Sequence, residues 1–319
     1  MALSPLTAAA VLVGLAIFAW LYSRRSLRGN GLRQPPGPPG LPLIGNLRDV
    51  PQPTGFPWLT YRQWSRDYGS DIIRLNVLGT NIVVVNSMEI ATDLFEKRSN
   101  IYSDRSDMVM LNELVGFGWG LAFRRYCDAW RDSRKMAHHI LHSTPVKQYR
   151  PIEQKATHEL LRRLLSGTEF MDGLRHMAGL LIMSLSYDIE VLPDGDPYVE
   201  MAEAAIQSIT ATTNAGSYLV DSLPILKYIP EWFPGADFQR QARVWRESVN
   251  RLFREPFDIV KERMDAGVVR ECAAKSLIEA FGKTAKDPAY TEDIIRSTLG
   301  SIYVGGADTV ISQYVFCRC

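Results

Sequence analysis

The residue types that point most directly to chemistry stand together in Gly305-Gly306-Ala307-Asp308-Thr309, inside an apolar run of helical period. Each glycine gives up about 1 kcal/mol of helix propensity relative to alanine, so two in succession leave the backbone bare for a reason. One reason is room for a flat ligand against the helix surface, with Asp308 and Thr309 beside it to hold a water or relay a proton. The other is a notch for packing against a neighbouring helix. The pentapeptide alone fits both.

A second constellation lies in Tyr126-Cys127-Asp128-Ala129-Trp130-Arg131-Asp132-Ser133-Arg134-Lys135-Met136-Ala137-His138. On a helix, Trp130, Arg134 and His138 fall at i, i+4 and i+8 and share one face. An indole N–H, a guanidinium and an imidazole in one row suit a ligand carrying a pair of carboxylates. A solvated, salt-bridged face with a half-buried tryptophan has the same pattern. His138 and His142 have helical metal-ligand spacing, but no acid sits between them and no third ligand follows, so no zinc centre is expected. Neither a G-x-S-x-G elbow nor a phosphate-binding G-x-x-x-x-G-K occurs.

Helices must position these groups. With 319 residues, 46% apolar and 22% charged, the chain has the composition of a folded globular protein. Net charge of +1 speaks against a nucleic-acid binder. Cys127, Cys272, Cys317 and Cys319 are too scattered for a disulfide framework and read as free thiols in a reducing compartment. Residues 1–23 carry no charge and precede Arg24, Arg25, Arg28 and Arg33, the pattern of an uncleaved transmembrane signal anchor with its C-terminal side in the cytosol. Residues 24–46 form a basic tether and a hinge, Pro35-Pro36-Gly37-Pro38-Pro39-Gly40, which neither helix nor central strand accommodates. Residues 47–319 then make one mainly helical domain. Its one β region is a hairpin of Ile72 to Val77 and Asn81 to Val85, after a helix from Trp58 to Tyr68.

A helix capped by Ser87 runs to Lys97, and Ser99 to Ala122 reads as irregular, with Gly116, Gly118 and Gly120 spaced by aromatics. Helical period then marks Cys127 to Leu141, Val146 to Leu165, Glu169 to Tyr187, Tyr198 to Thr213, Phe238 to Met264, Ala273 to Phe281, and Thr291 onward. The apolar, aromatic loop Leu223 to Phe233 is a candidate for contact with the membrane surface.

The ordered set of anchor, Pro-Pro-Gly-Pro-Pro-Gly hinge, helix-hairpin-helix, Trp130-x-x-x-Arg134 and Gly305-Gly306-Ala307-Asp308-Thr309 resembles a microsomal cytochrome P-450, a haem-thiolate monooxygenase. Arg98-Ser99-Asn100-Ile101-Tyr102-Ser103-Asp104-Arg105 is similar to fungal members. The resemblance implies the helical cytochrome P-450 fold behind an anchor in the endoplasmic reticulum membrane, with the catalytic part cytosolic. It implies haem as cofactor, an apolar small-molecule substrate, and electrons from NADPH through a membrane-bound reductase. Trp130 and Arg134 would be donors to the haem propionates, with His138 one turn further on. Gly305 and Gly306 would make room for porphyrin and substrate, Asp308 would relay protons, and Thr309 would hydrogen-bond dioxygen. Substrate-contacting segments would lie around Asp104 to Phe123 and Ile206 to Tyr218. Cys127 stands where the family often has glycine, and Val310 where a second hydroxyl is common.

The family pattern continues to an E-x-x-R pair and to F-x-x-G-x-x-x-C-x-G, whose cysteine ligates iron. Neither follows Thr309, so the C-terminal part of the fold is expected to be missing and the metal ligand absent. Glu159-Leu160-Leu161-Arg162 matches E-x-x-R by letter but reads as a solvated helix face. Cys317 and Cys319 continue the Thr309 helix without the glycine-bearing loop. The 319-residue chain is therefore expected to be inactive by itself; a catalytically dead, partner-binding membrane protein and a shortened splice product are the alternatives.

Overall fold

The computed structural model describes residues 33–51, 56–213, 217–283 and 285–316, together with Gly14. The anchor expected over residues 1–23 lies outside them apart from Gly14, as do most of the tether, Cys317 and Cys319. Among the described residues no helix is long and apolar enough to cross a membrane. The chain divides into two compact units, one holding the described residues up to Ser103 with 217–224, the other Asp104–Thr213 and residues from Ile225 onward.

In the first unit, helix α1 (Pro57–Asp67) starts with proline at its first turn, where the missing N–H costs nothing. Strands β1 (Ile72–Val77) and β2 (Thr80–Val85) pair antiparallel with Ile72 opposite Val85. Leu78 and Gly79 turn the chain with φ of 49° and 92°, both left-handed, as a two-residue hairpin requires for its twist to match the strands. Period-2 alternation buries Ile73, Leu75 and Val77 on one face. The proline-rich hinge docks on β1. Arg74 N–H donates to the Pro36 carbonyl at 2.9 Å, and a Cβ on Gly37 would lie 2.0 Å from the Arg74 oxygen. Only a glycine permits that approach. Ser87 caps the next helix as expected, its hydroxyl accepting from Ile90 N–H.

The second unit is helical. Helix α2 (Asp128–Leu141) is followed by α3 (Arg150–Leu165), α4 (Phe170–Tyr187), α5 (Pro197–Thr212), α6 (Asp237–Asp265) and α7 (Pro288–Phe316). Helix α4 is apolar nearly all round, so it is buried, packed between α3 and α7. Its first N–H groups are satisfied by the Glu169 carboxylate, which accepts from Met171 and Asp172. Asp196 does the same for α5, accepting from Tyr198 and Val199. Helix α7 packs on α4, α2 and α5 and brings its middle into the centre of the unit.

Two expectations change. The stretch read as irregular contains a helical turn, Ser99–Tyr102, and a wide-turned π-helix, Val109–Val115. The wider turn lets Val109, Met110, Leu111 and Val115 all be buried, which a 3.6-residue period over so short a segment does not reveal. The helix expected to run from Ala273 to Phe281 likewise ends in a π-turn, Ile278–Gly282. Glu159 and Arg162 form an exposed i,i+3 pair at 3.1 Å on α3, the solvated face read from the sequence. In the loop before α6, Ile225, Tyr228 and Trp232 are 70%, 72% and 79% exposed.

Candidate functional site

Inside the second unit lies a cavity of about 800 Å³. Its regular wall comes from helices. Helix α7 contributes Ser301, Ile302, Val304, Gly305, Gly306 and Thr309, α2 contributes Trp130 and Arg134, and α4 and α5 close it with Ile182, Ile206, Ile209 and Thr210. The opposing wall is irregular, built from Arg105 and the segment Phe117 to Phe123.

One peptide group ties the walls together. Leu121 N–H donates to Ser301 Oγ at 2.9 Å, and that hydroxyl donates to the Ser297 carbonyl at 2.7 Å. The Leu121 carbonyl accepts from Trp130 Nε1–H at 3.1 Å. Helix α7 therefore holds the amide side and α2 the carbonyl side of the same residue. Aromatic packing adds to this: Trp119 lies 4.9 Å from Phe253 and 5.5 Å from Phe117, centroid to centroid. Trp119 also presses on bare backbone, since a Cβ on Gly300 would lie 2.8 Å from its Cζ3.

The two glycines of the central pentapeptide have different jobs. A Cβ on Gly306 would lie 2.7 Å from Ile182 Cδ1, so Gly306 is the packing notch. At Gly305 a Cβ would meet nothing within 4 Å, and that position opens to the cavity. Thr309 is exposed in the cavity wall, its hydroxyl donating to the Gly305 carbonyl at 2.7 Å. Asp308 lies on the same helix; its side chain is outside what the structure describes.

Along α2 the expected donor row splits. Trp130 is half-buried and commits its N–H to Leu121. Arg134 lines the cavity and has no hydrogen bond, ion pair or ring contact among the described residues. His138 does not reach the cavity: it is exposed, and its ring stacks on His142 at 5.2 Å. No Asp or Glu occurs among the described lining residues, and no group of His, Cys, Asp or Glu among the described residues could hold a metal ion. Behind the irregular wall, Asp104 accepts from Tyr126 N–H at 2.8 Å and pairs with Arg125 at 2.9 Å. The Arg125 hydrogen bond, with those from the Tyr126 and Arg105 amides, holds the Asp104 carboxyl well below the usual carboxylate range.

Of the segments expected to contact substrate, the first supplies Arg105 and Phe117 to Phe123, and the second Ile206, Ile209 and Thr210. Sequence reasoning missed Gly300 and Ser301, and placed Trp119 only within a segment. A signal existed for part of this, because the aromatics alternating with Gly116, Gly118 and Gly120 supply the wall.

The cavity is thus mainly apolar, with open space beside Gly305 and, at Arg134, a side chain with no hydrogen bond or ion pair among the described residues. The profile of the family described as Cytochrome P450 matches residues 35–317. Over 305 residues the chain is 35% identical to tryptamine 4-monooxygenase of Psilocybe cyanescens, covering 95% of this chain and 59% of the relative. Over 279 residues it is 40% identical to cytochrome P450 monooxygenase 98 of Postia placenta, covering 87% and 53%. The chain thus spans between half and two thirds of the length of these relatives. With the profile matched over most of its length and relatives this similar, the chain belongs to the cytochrome P450 family.

Proposed function

We propose that this chain forms the oxygen-handling side of a haem-dependent monooxygenase site acting on an apolar organic substrate. The observation that carries the reading is that Gly305 and Arg134, an opening and an uncommitted cation, face the same apolar cavity. The residues present fit haem: its flat face needs a stretch without Cβ, its carboxylates need a donor, and no acid opposes them among the described lining residues. When bound, haem supplies the chemistry that inserts one oxygen atom of O2 into the substrate.

Arg134 binds a propionate through its guanidinium fork. Trp130 holds the wall through Leu121, so the anion rests on Arg134 first. Gly305 leaves the space into which porphyrin and substrate fit, and the aromatic wall excludes water. Thr309 Oγ–H donates a hydrogen bond to the Gly305 carbonyl and keeps its lone pairs to accept one from the cavity; Asp308 would relay protons from solvent into the cavity. Electrons come from NADPH through a membrane-bound reductase. Residues 1–23 act as a single-pass anchor in the endoplasmic reticulum membrane, 24–46 as tether and hinge, and 47–319 as the cytosolic catalytic part. The exposed Ile225, Tyr228 and Trp232 rest on the membrane surface.

No F-x-x-G-x-x-x-C-x-G loop occurs among these 319 residues. Turnover belongs to a chain in which that cysteine is present. The test is haem content and reductase-driven oxygen consumption of the protein isolated from its source membranes, compared with Thr309→Ala. Haem in the isolated protein, with product yield per oxygen falling in the variant, supports the reading. A full-length protein without haem sinks it.

A further inference from the structure

Helix α5 has two sides, and the cavity described above uses one of them. On the other, between α4, α5 and α7, lies a smaller pocket of about 350 Å³. Ile206 is the one described lining residue that the two share, so the helix itself is the partition. The floor of the smaller pocket is apolar, from Val199, Ala202, Ile206 and Ala307. Gly179 lets α4 and α5 approach closely there, since a Cβ on it would lie 2.7 Å from Val199 Cγ2.

The rim is polar and of mixed sign. Arg175 Nε stands 3.5 Å from Glu203 Oε1, and another nitrogen of the same guanidinium holds Asp172, which does not line this pocket. Gln207 follows Glu203 by one helical turn, is exposed, and has no hydrogen bond among the described residues. Its amide brings two donor hydrogens and an acceptor oxygen to the mouth. A charged guest fares badly at such a rim. A carboxylate meets Glu203 and an ammonium meets Arg175, and each of those ions already has its counterion beside it. A neutral hydroxyl or carboxamide meets no such repulsion.

We propose that this pocket is a second binding site, for a neutral apolar molecule of one or two rings that carries a single hydroxyl or carboxamide. The rings rest on the floor at Val199, Ala202, Ile206 and Ala307, and the head group exchanges hydrogen bonds with Gln207. Binding there does not depend on the monooxygenase reading, in which Arg175, Glu203 and Gln207 have no part.

The experiment is equilibrium dialysis of the full-length chain against 2-naphthalenemethanol, 2-methylnaphthalene, 2-naphthoate and 2-naphthylmethylamine, repeated with Gln207→Leu and Gln207→Trp. Gln207→Leu should weaken binding of the alcohol by about fivefold, as the loss of one neutral hydrogen bond gives, and leave that of the hydrocarbon unchanged. Gln207→Trp lays an indole across the mouth and should lower the number of alcohol molecules bound per chain by one. Because position 207 is exposed, both variants should melt with the unmodified chain. At the site that Gln207→Trp closes, the acid and the amine should each bind more weakly than the alcohol.

A Gln207→Trp chain that binds as many alcohol molecules as the unmodified chain overturns the site. Acid or amine bound there as tightly as the alcohol overturns the class of ligand. Haem uptake with no site lost in Gln207→Trp leaves the monooxygenase reading standing and removes this proposal. A site lost in a chain that takes up no haem does the reverse.

Discussion

The cavity has two unlike walls. On the helical side, position along α2 and α7 decides everything: Trp130 and Arg134 stand one turn apart, as do Gly305 and Thr309, and their placement follows from the period alone. On the irregular side, Arg105 and Phe117 to Phe123, no period operates. Local backbone turns such as Gly120 N–H to the Phe117 carbonyl shape it, and a few long-range contacts place it: Ser301 for Leu121, Asp104 for Arg105 and Tyr126, and the Trp119 ring pressed on Gly300. The helical wall is stiff because many backbone bonds share its load. The irregular wall is only as firm as a few named contacts. The contrast suits the proposed function, with oxygen handling on the helices and exclusion of water by the aromatic residues of the irregular wall.

The largest effect that tests this contrast is expected from Phe117→Ala. Phe117 is 1% exposed and packs edge-on to Phe123, so removing its ring should cost about 3–5 kcal/mol in chemical denaturation. A loss below about 1 kcal/mol would mean that the aromatic wall does not hold the cavity as described. Next comes a pair of identical substitutions on α7. Gly300→Ala drives a Cβ into the Trp119 ring, with overpacking of about 1–3 kcal/mol outweighing the gain in helix propensity. Gly305→Ala meets open space and should stabilise the helix by up to about 1 kcal/mol while lowering haem uptake by the full-length chain. Equal shifts in melting temperature for the two would erase the distinction between notch and opening. Arg134→Ala should leave stability within about 0.5 kcal/mol, since no contact among the described residues is lost, yet weaken haem retention.

Most of the helical wall is legible in the sequence because its signals are local. The helical periods of α2, α4 and α5 and the run through Gly305 each report on residues within a turn or two. The pentapeptide could not say which glycine was notch and which was opening, because that depends on Ile182 of α4, far away in the chain. Helical spacing on α2 put Trp130 and Arg134 on one face, and both line the cavity. It could not show that the Trp130 N–H is already committed to Leu121 or that His138 turns to His142. The π-helix at Val109–Val115 escaped for a related reason: its turn is set by burial against α5 and α6, not by propensity. Long-range partners decide the irregular wall, and single residues do not announce their partners.

The smallest predicted effect is also the most specific to that wall. Asp104 has a folded-state pKa below its ordinary value of 3.8, because Arg125 and the amides of Tyr126 and Arg105 bond its charged form. A depressed carboxylate pKa contributes stability that is fully present above 3.8 and is lost as the pH falls through the folded value. Acid should therefore loosen the segment from Asp104 to Tyr126 while α7, whose contacts with that wall at Ser301, Ser297 and Gly300 involve no carboxylate, keeps its protection. Hydrogen exchange at pH 5 and pH 3, each corrected for intrinsic rate, reads the two walls separately. Asp104→Asn should reproduce the loosening at pH 5, since the amide keeps an acceptor oxygen for the Tyr126 N–H but loses the ion pair to Arg125. Because the pair is exposed to solvent, salt should narrow the difference between the variant and the unmodified chain. If exchange in α7 rises in step with that of the irregular wall, the two walls open as one unit, and the placement of Leu121 by Ser301 binds them more tightly than the Asp104 contacts alone imply.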